Sequence, residues 1–422
     1  MKIKNIKARE ILDSRGNPTV EAKIILENGL EARASIPSGA SVGEFEALEI
    51  RDNDLKRFQG RGVLAVVGNI EKIIAPKLKG QEVEKQKEID KTIIELDATI
   101  DKSRLGANAI LAVSLACAKA GALASGFPLF VYLRKTYGLP ETNYKMPIPM
   151  FNVINGGKHS DSGLSVQEFM VVPWQGKNFR ERLQTGAEIF YALRDVLKKR
   201  RLSIAVGDEG GFAPKLEKTE KAFDLLVEIA DFTDHRIGSE VYFALDVAAS
   251  VFFDKDKKKY FFEGKWRTSE KMAKIYAQWF KNYPLIGIED PFADIDPAPW
   301  SEFTAKIQAL NNDYLIVGDD LFTTNIKRLA DGVENKRANT ILIKPNQIGT
   351  LSETIDCINF AQDHHYKIVI SHRSGETNDS FIADLAVAVN AEFIKAGAPN
   401  RGERVAKYNR LLEIEEMLNP AK

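Results

Sequence analysis

Apolar and polar residues alternate along the first 36 positions in two runs that meet at Asn28-Gly29. Val20, Ala22, Ile24 and Leu26 point one way, and Leu30, Ala32, Ala34 and Ile36 repeat the pattern after the turn. Asn-Gly between two alternating runs predicts a β-hairpin, because both turn residues tolerate positive φ. After the loop IPSGASVGEFEALEIRD the period lengthens to that of helices. The clearest helical stretch, ANAILAVSLACAKAGALA from Ala107 to about Ala124, is rich in small residues that allow close helix packing. Strands followed by helices predict an α+β unit. The segment Lys135 to Pro149 carries three prolines and little periodicity, and the domain boundary is placed there, between residues 1–138 and 139–422.

Beyond that segment the pattern becomes a series of short, continuous apolar runs, each ending in a polar or charged residue. They are LSIAVGDE ending at Glu209, VYFALD at Asp246, LIGIED at Glu289, YLIVGDD at Asp319, TILIK at Lys344, KIVISHRS at His372 and EFIK at Lys395. Continuous rather than alternating runs are the mark of buried parallel strands. Their spacing is near the ~30 residues of a βα unit, which predicts a (β/α)8-type barrel behind the smaller N-terminal α+β unit. A doubly wound open sheet would gather ligands at one switch point fed by two or three strands. Chemistry-bearing residues at seven successive strand ends fit a closed barrel better, since there every C-terminal end faces one mouth.

Composition narrows the class. The chain has 422 residues, 44% of them hydrophobic, enough to fill a large core. Lys+Arg and Asp+Glu both number 59, so no basic excess suggests nucleic-acid binding. Cys117 and Cys357 lie in apolar surroundings, which points to a reducing compartment and argues against a disulfide scaffold. No continuous apolar run of about 18 residues and no apolar leader stretch is found, so a soluble, cytoplasmic protein without a membrane span is expected.

The predicted mouth holds unusual charge. Asp246, Glu289 and Asp319 would each sit behind an apolar strand. Singly, an acidic residue there is often a helix cap or a solvated turn. Three together repel and need a counter-charge. Oxygen ligands of this kind, completed by water, suit Mg²⁺. Zinc is disfavoured, because the thiols lie elsewhere and His364–His365 read as surface. Lys344 and Lys395 are either snorkelling surface lysines or, beside bound cations, lysines of depressed pKa able to act as a general base. Pro345 biases Lys344 toward extended backbone. Glu209 stands in VGDEGGFAP, where glycines permit a sharp turn. SHRSGE sets Arg373 beside Ser374, a pair suited to phosphate though weak evidence taken alone. Together these groups describe proton abstraction beside a carboxylate held on a metal ion.

The motifs SGASVGEFEALEIRD, SRLGANAILAVSLA, NVINGGKHSD, QEFMVVP, VGDEGGFAP, ALDVAAS, IEDPF, VGDDLF, LIKPNQIGT, SHRSGET and IKAGAP follow one another along essentially the whole chain. In order and spacing they resemble the enolase family. The resemblance implies reversible dehydration of 2-phosphoglycerate to phosphoenolpyruvate in glycolysis and gluconeogenesis, with two Mg²⁺ per active site. It implies that Asp246, Glu289 and Asp319 hold the tighter Mg²⁺ and that Lys344 removes the C2 proton. Glu209 would protonate the leaving hydroxyl, with Glu168 as its partner. Gln167, Arg373, Ser374 and Lys395 would contact substrate, Arg373 and Ser374 at the phosphate and Lys395 near the carboxylate. His159 belongs to a glycine-rich loop at the site and His372 lines it. Ser41, in the first loop, would close over the substrate and help to hold the second Mg²⁺. A homodimer is implied, with octamers in some bacterial members.

Four positions depart from the family pattern: Val42 for the usual threonine of the first loop, Val251 for a common glutamate, and Ala396 and Gly402 for frequent threonine and serine. Two other readings stand beside this one. A dehydratase or racemase of a non-phosphorylated acid would leave the SHRSGE clamp idle. A binding scaffold, in a ribonucleolytic complex or at the cell surface, is secondary, because the sequence shows no tethering segment.

Overall fold

The computed structural model describes residues 1–39 and 45–420; Ser41 and Val42 lie outside the described residues. Strands β1 (Ile3–Leu12), β2 (Pro18–Leu26) and β3 (Glu31–Ser35) form an antiparallel sheet in that order. The β2–β3 hairpin pairs Ala22 with Ala34 and Ile24 with Ala32, as the alternation predicts. Its turn needs Gly29, which adopts φ +88°, a conformation that costs glycine little. The apolar face of the sheet packs on helix Ala107–Ser125. That helix is long and apolar enough to cross a bilayer by length and composition, yet most of it is buried within the protein. Its small side chains let neighbours approach: Gly121 leaves room for the hydroxyl of Tyr132.

No helix or strand forms between Tyr137 and Ile148. The buried Arg134 holds this segment, donating to the carbonyls of Thr142 (2.9 Å) and, from the barrel side, Ala388 (2.9 Å). Then come β4 (Ile148–Asn155), β5 (Glu168–Pro173) and β6 (Val241–Asp246). A small three-stranded sheet follows, β7 (Phe253–Asp254), β8 (Lys259–Phe262) and β9 (Lys265–Arg267). The chain continues through β10 (Leu285–Glu289), β11 (Leu315–Gly318), β12 (Thr340–Ile343), β13 (Lys367–Ser371) and β14 (Phe393–Lys395). Eight of these strands close into a barrel in the circular order β10-β11-β12-β13-β14-β4-β5-β6.

Met170, Val172, Ala244, Ile286, Leu315, Val317, Leu342, Val369 and Phe393 fill the barrel interior as a separate apolar cluster. Alternate residues, such as Phe169 and Val171 on β5, face the surrounding helices instead. Each fully buried side chain of this size contributes roughly 1.5–3 kcal/mol, so the floor beneath the mouth is a packed core and not a channel.

Two sequence expectations are corrected here. The run LSIAVGDE is not a barrel strand: Ile204 and Val206 are exposed, and only an isolated bridge between Val206 and Phe212 forms. Its place is taken by β4 and β5, whose runs MFNVIN and EFMVVP were not read as strands. The second difference is direction. β5 runs antiparallel to both β4 and β6, while every other neighbouring pair is parallel. A reversed strand delivers its first residue, Glu168, to the mouth where the others deliver their last.

Candidate active site

The mouth collects one residue from nearly every strand. Glu168 pairs in register with Asp246, and Asp246 with Glu289, so three carboxylates stand on three adjacent strands. Asp319 and Lys344 immediately follow β11 and β12, His372 and Arg373 follow β13, and Lys395 ends β14. Gln167, His159, Glu209 and Ser374 line the same cavity. The structure thus places at one mouth each of these candidates that lies among the described residues. His364 and His365 are exposed and far from the mouth's strand ends, as expected of surface residues.

Glu209 reaches the site from a loop. Phe212 donates its backbone N–H to Val153 and accepts from Asn155 at the end of β4 (both 2.8 Å), and Ala398 donates to the carbonyl of Glu209 (3.0 Å). Gly210 makes the turn at φ +89°, and a Cβ there would overlap the side chain of Asn400.

Two ammonium groups sit among the carboxylates. Lys395 Nζ lies 2.8 Å from Glu289 Oε2, 3.1 Å from Asp246 Oδ2 and 3.2 Å from Glu168 Oε2. Burial opposes its charge, but Asp246, Glu168 and Glu289 outweigh burial and hold its pKa well above the usual lysine value. Lys344 Nζ is hydrogen-bonded to Asp319, whose other oxygen accepts from Gln347 Nε2 (2.9 Å). Burial likewise opposes the charge of Lys344, and Asp319 reverses the balance and raises its pKa. In this state Lys344 is an ammonium.

The carboxylates fit a hard cation. Glu289 Oε1 is buried without a hydrogen-bond partner among the described residues, and burial followed by the charge of Asp246 raises the pKa of Glu289 well above the carboxylate range. A divalent ion would give that oxygen its missing partner. The tightest groupings of acidic and histidine atoms are two others: Asp290 with Asp319 and Asp320, and His159 with Glu168 and Glu209. Asp290 is already engaged, because its two oxygens accept the backbone N–H groups of Asp319 (3.0 Å) and Asp320 (2.8 Å). It braces the turn that presents Asp319.

Glu168 and Glu209 form the other half of the mouth. His159 Nδ1 lies 3.5 Å from Glu209 and 3.7 Å from Glu168. Asn152 Nδ2 donates to Glu209 Oε2 (2.8 Å), and His372 Nε2 lies 3.4 Å from the same oxygen. Burial and the neighbouring charge of Glu209 push the pKa of Glu168 well up. Burial opposes charge on Glu209 too, but the adjacent His159, His372 and Arg404 outweigh it and carry its pKa down. The two carboxyls are thus pushed in opposite directions, Glu168 toward its neutral form and Glu209 toward its charged one.

Arg373 is buried and its fork is engaged. Nη1 donates to Glu46 Oε2 (2.8 Å) and Asn346 Oδ1 (3.2 Å), and Nη2 donates to Glu46 Oε1 (3.3 Å). The N-terminal unit is tied to this loop by paired backbone bonds between Ser38 and Gly375 (2.7 and 2.9 Å). Glu46, Asn152, Asp290 and Arg404 were not singled out from sequence. The doubled acids of IEDPF were a visible signal for Asp290; the others carry no local signature, since their partners lie far away along the chain.

Lys344 and Glu168 belong to strands β12 and β5, four places apart in the ring of eight and so on opposite walls of the mouth. That arrangement sets a lysine on one wall, a pair of buried carboxyls on the other, and the fork of Arg373 between them in the strand order.

Comparison with known proteins agrees with this geometry. Residues 3–133 match the family model described as the N-terminal domain of enolase, and residues 143–422 match that of its C-terminal TIM barrel domain. The chain is 52% identical over 417 residues to an enolase of Elusimicrobium minutum (strain Pei191), covering 99% of this chain and 96% of that protein. It is 48% identical over 417 residues, with the same coverage, to an enolase of Corynebacterium kroppenstedtii. The chain belongs to the enolase family.

Proposed function

We propose that this chain catalyses the reversible removal of water from 2-phosphoglycerate to give phosphoenolpyruvate. The single observation that carries the reading is the placement of a lysine and a carboxyl pair on opposite walls of one buried, charged mouth. An anti elimination needs a base at C2 and an acid at the C3 hydroxyl, on opposite faces of the bond between them.

Mg²⁺ is the proposed ion, two per site, the tighter held by Asp246, Glu289 and Asp319. When bound it would stabilise the negative charge that builds on the substrate carboxylate as the C2 proton leaves. The residues of the chain do the rest. Lys344 accepts the C2 proton in its neutral form, which an ion sharing Asp319 favours by competing with the ammonium for that carboxylate. Lys395 orients the substrate carboxylate. Arg373 and Ser374 take the phosphate. The Glu168–Glu209 pair gives its proton to the departing hydroxyl, Glu209 being the member that faces His159 and His372. C2–H and C3–O break, the C2–C3 double bond forms, and the proton from the pair leaves as part of water.

The N-terminal unit, residues 1–138 in the proposed division, covers the mouth, with Glu46 already seated on Arg373. Ser41 is proposed to help hold the second ion. A homo-oligomeric state and a cytoplasmic location belong to the same reading and rest on family membership.

The test is ultraviolet detection of phosphoenolpyruvate formed from 2-phosphoglycerate, with and without EDTA. Formation that stops with EDTA and returns with Mg²⁺ supports the reading. No formation from active-folded protein with Mg²⁺ present would move the scaffold reading to the front.

A further inference from the structure

Arg404 is fully buried, and its two terminal nitrogens are directed at the site from behind, while Nε lies 3.3 Å from Glu403. Nη1 lies 2.6 Å from His372 Nδ1 and 2.6 Å from the carbonyl oxygen of Arg373. Nη2 donates to the carbonyls of Ser374 (2.7 Å) and Asp208 (3.1 Å) and approaches Ser14 Oγ at 3.4 Å. One guanidinium thus gathers the phosphate-clamp backbone, the residue before Glu209, and a loop of the N-terminal unit. Space for it is kept by Gly397, at φ +89°, where a Cβ would come within 2.8 Å of Arg404 Cδ.

The contact with His372 has a chemical consequence. A guanidinium has five N–H donors, no acceptor, and does not lose its proton in proteins. At 2.6 Å the facing Nδ1 must therefore offer a lone pair. An imidazolium, or the Nδ1–H tautomer, would set N–H against N–H at that distance. We propose that Arg404 is a positioning residue that locks His372 as the neutral Nε2–H tautomer, aiming its one donor at Glu209.

The far side of the ring agrees. His372 Nε2 is buried, makes no hydrogen bond among the described residues, and lies 3.4 Å from Glu209 Oε2. The charged groups acting on the ring are Glu209, which favours its protonation, and Arg404 and Lys395, which oppose it; burial is the largest influence and takes the pKa down to about 3. Locked in this way, His372 turns its one N–H toward Glu209, 3.4 Å away, and cannot serve as a proton store. The proton for the leaving hydroxyl then comes from the Glu168–Glu209 side of the mouth and not from His372. That last consequence rests on the proposed enolase reaction; the tautomer does not.

The test is ¹⁵N spectroscopy of the full chain labelled at histidine, read without substrate, so its result is separate from the turnover assay. The chain has five histidines, which keeps the assignment tractable. The wild-type protein is expected to show a pyridine-type Nδ1 and a pyrrole-type Nε2 at His372 across the range in which free imidazole titrates, about pH 5 to 8. An Nδ1–H form or an imidazolium there would overturn the proposal. Arg404→Met, which removes every donor while keeping an unbranched side chain, should admit a second tautomer and lower turnover by about 10- to 100-fold, the range found when the partner behind a metal-ligating residue is lost. A single Nε2–H form in Arg404→Met would show that Arg404 does not set the tautomer. Glu209→Gln, a near-isosteric change that leaves Arg404 in place, should keep the Nε2–H form; a switch in that variant would transfer the role to Glu209 and refute the assignment even where Arg404→Met fails to fold.

Discussion

Arg373→Lys separates charge from geometry at the phosphate clamp. Among the described residues the arginine donates through two nitrogens to both oxygens of Glu46 and to Asn346 Oδ1, and its side chain is only 5% exposed. Burial opposes its charge, but Glu46 outweighs that and raises its pKa, so it is fully ionised. A lysine keeps the charge, yet its single nitrogen cannot engage two acceptors side by side as the fork does. Losing one hydrogen bond to a charged group costs about 1.5–3 kcal/mol in a buried site, where screening by solvent is slight. Converted at 1.36 kcal/mol per tenfold, kcat/KM for 2-phosphoglycerate should fall by about 10- to 150-fold. The assay is initial-rate phosphoenolpyruvate formation followed by ultraviolet absorbance. Thermal unfolding of the same variant checks that the loop still folds, with a drop of about 1 °C expected for each kcal/mol of lost pairing in a chain of 422 residues. A kcat/KM within about twofold of wild type would refute the claim that the fork of Arg373 holds the phosphate.

Asp246→Ala, Glu289→Ala and Asp319→Ala should each abolish turnover while the fold survives, and calorimetric titration with Mg²⁺ should lose its tighter phase; full activity in any of the three would exclude that residue as a ligand. Gly186→Ala should lower the thermal midpoint, because the added Cβ overlaps the ring of Phe151, and overpacking of about 1–3 kcal/mol exceeds the gain in helix propensity of roughly 1 kcal/mol. Asp379 accepts from Ser35 N (3.0 Å) and pairs with Lys119 Nζ (2.7 Å); burial opposes its charge, but Lys119 prevails and depresses its pKa. A depressed carboxyl pKa adds stability that is present above the unfolded value of about 3.9 and lost as pH falls through the folded one. Asp379→Asn should therefore flatten the acid limb of stability against pH, measured by denaturant melts; an unchanged limb would remove that pair from the acid response.

The strands that were legible in sequence are those whose environment is uniform along their length. β6, β10, β12 and β13 are buried on both faces and read as unbroken apolar runs, and β2 and β3 alternate because one face packs on a helix. β5 was missed although its run is as long and as buried as that of β6, because its reversed direction depends on the chain returning from β4, which no local pattern encodes. The segment at Ile204 misled in the opposite way: it is apolar in composition but exposed, since β4 and β5 already complete the ring. The site divides along the same line. Residues at strand ends announced themselves by position, while Arg404 and Glu46 act through partners on other elements and have no signature of their own. The charge state of Lys344 was also beyond the sequence. The depressed pKa expected of it depends on bound cations; without them the carboxylate of Asp319 raises it.

The division of labour between base and acid is tested most directly by exchange of the C2 proton of 2-phosphoglycerate with D₂O, followed by proton NMR in the presence of Mg²⁺. If Lys344 removes that proton and Glu209 acts afterwards on the hydroxyl, Glu209→Gln should form no phosphoenolpyruvate yet still exchange the C2 proton. Lys344→Ala should lose exchange and dehydration together, by more than the roughly 10²–10⁴-fold typical of a removed general base, because Asp319 also loses its buried counter-charge. Exchange that persists in Lys344→Ala and vanishes in Glu209→Gln would contradict the account and reverse the two roles.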